Sequence, residues 1–142
     1  MIRRHVLRAV LLVAAAVTLV NAAHAQEGHP LTGTWYGAYV SGSQKHDITV
    51  IMKWDGKSVT GLINPGPKPS PMTSAALTII PGKPAPEGQN STQGVPPVFQ
   101  VRFEVDGMTF DGTIQNPVAG NRRITGNWSR GNERGTFQIR RL

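Results

Sequence analysis

The chain has 142 residues, with 16 glycines, 11 prolines, no cysteine and a formal charge of +7. The absence of thiols excludes disulfides, thiolate metal sites and acylation through cysteine, so stability must come from packing. High Gly and Pro content, few aromatics and no long 3.6-residue periodicity exclude a helical bundle and point to an all-β chain with many turns.

Residues 1–25 have the layout of an export signal: Arg3, Arg4 and Arg8 precede an apolar run, Ala9 to Val20, and then Ala23-His24-Ala25 offers small residues to a signal peptidase. The apolar run is shorter than the ~20 residues needed to span a bilayer, so cleavage before Gln26 and a periplasmic or secreted destination are expected. Arg3-Arg4 also matches the twin-arginine pattern, with Val6 where Phe is usual, but an ordinary basic leader fits better. Removing the leader takes away three arginines and no acid and lowers the charge to +4. Residues 26–142 suffice for one domain and are too few for two.

In chain order, Thr32 to Val40 reads as the first strand, with Trp35 inward because flanking Gly33 and Gly37 let a neighbouring backbone approach its ring. Ser41 to His46 reads as a polar loop. Asp47 to Trp54 alternates, with Ile48, Val50, Met52 and Trp54 on one face. Asp55-Gly56 predicts a two-residue turn into Lys57 to Ile63, with Met52 opposite Val59 and Val50 opposite Gly61. After a proline-rich connection, Asn64 to Pro71, a strand is expected over Thr73 to Ile80, and then a long Pro/Gly loop, Pro81 to Pro97.

The clearest hairpin spans Phe99 to Ile114. Phe99, Val101, Phe103 and Val105 alternate with polar residues, and a type I′ turn at Asp106-Gly107 puts Val105 opposite Met108, Phe103 opposite Phe110 and Val101 opposite Gly112. Gly61 and Gly112 stand at matching offsets from the two Asp-Gly turns, on the inward face, where a missing side chain lets a strand coil. Arg123 to Ser129 and Gly135 to Leu142 complete eight strand candidates, with Ile124, Trp128, Phe137 and Ile139 inward. Eight antiparallel strands joined mostly by short turns predict an up-and-down meander that closes into a β-barrel and abolishes its edges.

Leu31-Thr-Gly-Thr-Trp-Tyr36 followed by Asp55-Gly-Lys-Ser-Val-Thr-Gly61 resembles the opening of avidin-type barrels, and Gly33-Thr-Trp35 is similar to the Gly-x-Trp signature of lipocalins. The resemblance covers about a quarter of residues 26–142. It implies a calycin-like barrel in which Trp35 closes one end against an arginine near the last strand, for which Arg140 is the positional counterpart. The tryptophan-bearing biotin motifs of avidin are absent, and biotin is not implied.

The inventory for catalysis is thin. His46-Asp47 near Ser41 or Ser43 collects a hydroxyl, an imidazole and a carboxylate on one polar stretch, which is usually only solvated surface. Two histidines, His29 and His46, make a poor metal site. A non-enzymatic protein without cofactor or metal is expected, and a monomer. Outward Lys53, Arg102 and Glu104 exclude a lipid-facing barrel wall. The leading functional expectation is a small apolar or aromatic ligand in the barrel mouth, held among Trp35, Tyr39, Trp54, Phe103, Phe110 and Trp128, with the Pro81–Pro97 loop over it. The alternative is an interaction or inhibitor protein that meets an exported partner through that loop and an arginine-rich end carrying Arg122, Arg123, Arg130 and Arg134. No sequence-specific nucleic-acid partner is expected.

Overall fold

The computed structural model describes residues 28–64, 66–85, 87 and 94–142. The leader and its cleavage site lie outside the described residues. Nine strands form one antiparallel sheet: β1 (Gly33–Ser41), β2 (Gln44–Trp54), β3 (Val59–Ile63), β4 (Ser70–Pro71), β5 (Ser74–Ile80), β6 (Val98–Val105), β7 (Met108–Gln115), β8 (Arg123–Arg130) and β9 (Glu133–Arg141). Their order is β4-β3-β2-β1-β9-β8-β7-β6-β5, so both halves are meanders that meet where β1 pairs with β9. The sheet curls into a half-barrel with its apolar side on the concave face. Eight strands were expected; the additional one is the two-residue β4, in the connection read as proline-rich coil.

Three departures from the expected turns share one cause, the local backbone chemistry. At the β6–β7 hairpin Asp106 and Gly107 both have positive φ (49° and 73°), as a type I′ turn demands, and the expected pairs Val105–Met108, Phe103–Phe110 and Val101–Gly112 form. At the β2–β3 hairpin only Gly56 does, because the Asp55 carboxylate accepts from the Lys57 and Ser58 amides at 2.8 and 2.7 Å and enlarges the loop to residues 55–58. The register therefore moves by two, to Met52–Gly61, Val50–Ile63 and Trp54–Val59. An even shift keeps every side chain on its face, so the inward set survives. The second departure is at residues 41–46: the loop shrinks to Gly42-Ser43, with Gly42 at φ 59°, and Gln44 to His46 join β2. At the β8–β9 hairpin the strands likewise run on to a two-residue turn, Gly131-Asn132.

The core is a continuous set of inward residues from both halves, among them Trp35, Val50, Met52, Phe103, Phe110, Ile124, Trp128, Phe137 and Ile139. Trp35 is fully buried, and its indole N–H donates to the Leu31 carbonyl at 2.9 Å. Trp128 donates to the Val40 carbonyl at 2.8 Å. Each tryptophan thus buries a large apolar ring while its one donor is satisfied. Gly112 faces Gly126 across β7 and β8; a Cβ on Gly112 would lie 2.6 Å from the Thr125 carbonyl and 3.0 Å from the Phe137 ring. A Cβ on Gly61 would meet the Ile51 carbonyl and the Met72 sulfur. At both positions a neighbouring strand occupies the space of a side chain, which is how the sheet coils so strongly.

Candidate functional site

The six aromatic candidates separate into two groups. Tyr39, Phe103, Phe110 and Trp128 come together with Phe137 in one cluster. Phe103 stacks on Phe110 at 4.7 Å, Phe137 meets both edge-on at 5.9 and 5.1 Å, and Tyr39 meets Trp128 edge-on at 5.1 Å. Trp35 and Trp54 lie toward the other end of β1 and β2. Trp54 ends β2, donates its backbone N–H to the Thr32 hydroxyl oxygen (3.2 Å) and stacks on His29 at 4.5 Å. The Pro81–Pro97 loop leaves the sheet at that same end, because β5 finishes and β6 begins there. Trp128 is therefore remote from the loop.

Packing decides what the aromatic cluster can do. Trp35 and Phe103 have 0% exposure and Phe110 has 1%, so no water-sized space touches their rings, inside or out. The interior at these residues is occupied by side chains. Only Tyr39, half-buried, carries the cluster to the surface, and the His46 ring covers it at 4.8 Å in a near-parallel stack.

The hydroxyl–imidazole–carboxylate stretch disperses on the strand. His46 pairs with Tyr39 and Asp47 with Ala38, on opposite faces of β2, and the Asp47 carboxylate lies 3.7 Å from the Lys45 ammonium.

The arginines separate too. Arg130 and Arg134 flank the β8–β9 turn, at the end remote from the long loop. Arg122 is buried at 9% exposure; its Nη1 donates to the Pro30 carbonyl at 3.1 Å, and its Nε has no partner. Burial, and then the neighbouring Arg141 charge, push its pKa down. His29 is pushed below the ordinary histidine value first by burial and then by Arg122. Arg122 is thus an internal group at the base of the sheet and not part of an open surface.

Arg140 was the expected counterpart to Trp35 and is instead exposed, on the outer face beside Tyr36. The arginine paired with Trp35 is Arg141, one residue on, whose guanidinium occupies the place of a Cβ on Gly33 (φ 137°). Glycine in the Gly-x-Trp triplet is required here by the backbone angle, whereas the guanidinium is the movable end of a flexible side chain. Outside, Arg123 pairs directly with Arg140. With Arg141 they line a shallow cleft of 330 Å³, together with Gln115, Asn116, Asn121 and Leu142, and no acidic side chain lines it. Arg123, Arg140 and Arg141 make no ion pair among the described residues. The sequence marked the arginine-rich end but placed Arg122 on it and left out Arg140, Arg141 and Tyr36. The alternation of β9 alone could have found Arg140, since it is out of phase with buried Phe137 and Ile139.

Compared with known families, curated proteins and solved structures, the chain gives no match. Among the described residues no helix is long and apolar enough to cross a membrane.

Proposed function

We propose that this chain is an exported, non-enzymatic binding module that docks a partner with one end of a small barrel instead of enclosing a ligand in it. The observation that carries the reading is the filled interior: of the rings expected to line a mouth, Trp35, Phe103, Phe110 and Trp128 are buried, and Phe103 and Phe110 pack on each other and on Phe137. The docking end is the one where the Pro81–Pro97 loop, Arg123, Arg140 and Arg141 come together, and the unpaired guanidiniums favour an anionic partner.

The finer architecture proposed with it is a closed, calycin-like barrel of eight staves, in which β4 and β5 act as one bent strand. Two hydrogen bonds support this closure. The Met72 amide donates to Gly61 of β3 at 2.9 Å, and the next amide, Thr73, donates to Glu104 of β6 at 2.8 Å. Consecutive residues thus reach both outer strands of the half-barrel, and β5 lies against β3 across the seam.

A small apolar ligand remains the second reading, favoured by one observation: Tyr39, half-buried beneath His46, is a way into the aromatic cluster. Tryptophan fluorescence titrated with aromatics, neutral long-chain alcohols and sugars separates the two. The docking reading predicts no saturable response. A saturable response abolished by a bulkier side chain near Tyr39 would overturn it.

A further inference from the structure

We infer that the docking partner is an anionic lipid surface, an assignment that rests on the end-docking reading above and names its partner. The observation is one cross-strand row on the outer wall, near the strand ends that carry the long loop. Ile80 pairs with Val98. Val98 continues the β6–β7 register, in which Gln100 faces Thr113, to the level of Gln115. Gln115 pairs with Arg123, Arg123 with Arg140, and Arg140 with Tyr36. Six strands thus place two aliphatic side chains, an amide, two guanidiniums and a phenol side by side, all exposed.

Two features of the row have no structural use inside the chain. Arg123 directly opposite Arg140 is a like-charge cross-strand pair, which destabilises a sheet unless an anion lies between or above the charges. The cleft at that pair offers guanidiniums and the amides of Asn116 and Asn121 without an acidic side chain, the donor set of a phosphate site. The apolar members are equally unused. Ile80 and Val98 are 43% and 39% exposed, and Ile79 is 54% exposed although it lies on the inward parity of β5, so this hairpin projects past the end of the core. Beside the cleft, Val118 is 92% exposed at the tip of the 116–121 loop, and Leu142, which lines the cleft, is 77% exposed.

Among the described residues, all the exposed large apolar side chains but Val40 belong to this end. Cationic groups at the level of phosphates, a tyrosine among them and aliphatic tips beyond is the composition that water–membrane interfaces select. Here the apolar tips stand out from a convex wall, and a fluid surface adapts to such a shape.

The test is co-sedimentation with vesicles of phosphatidylcholine, with and without phosphatidylglycerol, using the chain 26–142. The expected result is binding to the anionic vesicles alone, weakened by salt. Arg123→Gln with Arg140→Gln should weaken it about twenty-five-fold, five-fold for each guanidinium. Val118→Asp, at an exposed loop tip and harmless to folding, should weaken it as well, whereas Arg130→Gln with Arg134→Gln at the opposite end should leave it unchanged. Thermal melts establish that each variant is folded. Equal binding to neutral and anionic vesicles, or equal loss from the two arginine pairs, overturns the inference. Competition by inorganic phosphate at the vesicle-bound phosphate concentration, with no effect of Val118→Asp, assigns the site to a free anion and also overturns it. If vesicles fail to bind but a photo-crosslinker at Val118 captures an exported protein, the lipid assignment fails and end-docking stands. If neither occurs, and fluorescence reports a saturable apolar ligand, both fail.

Discussion

Replacing Phe110 by Ala is the sharpest probe of the filled interior. The ring is 1% exposed, stacks on Phe103 at 4.7 Å and meets the edge of Phe137 at 5.1 Å and of Tyr39 at 6.1 Å. Its neighbours belong to paired strands and cannot collapse far, so the full transfer and cavity cost applies, about 3–5 kcal/mol. Against a total stability of about 5–15 kcal/mol for a domain of this size, that is a large fraction. The melting temperature should fall by about 10–20 °C. The void left behind is lined by Phe103, Phe137 and Trp128 and should take up benzene. At a hundredfold excess over its dissociation constant, benzene should restore about 2.7 kcal/mol to the variant and nothing to the parent chain. Differential scanning calorimetry with and without benzene reads both effects. A loss below about 1 kcal/mol, or a parent chain that benzene also stabilises, would refute a solid interior.

Gly112→Val places a Cβ within 2.6 Å of the Thr125 carbonyl and 3.0 Å of the Phe137 ring and should cost about 1–3 kcal/mol in a urea titration; an unchanged midpoint would remove the close-approach argument. Arg122→Met replaces a buried guanidinium that has no acidic partner by an apolar chain of similar length, so the urea midpoint should stay level or rise. A large fall would mean that the Arg122–Pro30 bond holds the N-terminal residues to the sheet. His29 has its pKa lowered in the fold, so the unfolded chain takes up a proton first as pH falls. Stability from this residue is complete above the ordinary histidine value of 6.5 and declines as pH drops through 6.5 toward the lowered folded value. Melts across that window should slope for the parent chain and flatten for His29→Gln.

The strands were legible because alternation needs only a period of two. The β2–β3 register moved by two when the Asp55 carboxylate enlarged its turn, and parity protected every inward assignment, including Val50 and Met52. Turn size was less legible, since one Asp-Gly pair forms a type I′ turn and the other caps a larger loop. The row as a whole was not legible, although Arg123 stood among the arginines that the sequence singled out. It depends on β1 pairing with β9 across most of the chain, a register that no local hairpin encodes, so Tyr36 beside Arg140 cannot be read from either segment. Arg122 and Arg123 are neighbours in sequence and similar in chemistry, yet alternation sends one into the base of the sheet and the other onto its wall.

Residue-resolved NMR of isotope-labelled chain 26–142, titrated with a short-chain phosphatidylglycerol, tests the central claim most directly. Docking by one end of a filled barrel predicts shifts confined to Tyr36, Ile80, Val98, Gln115, Val118, Arg123 and Arg140, with the methyls of Val50, Ile124 and Ile139 unmoved. Shifts centred on those core methyls and on the Phe103 and Phe110 rings would contradict it and place the ligand inside.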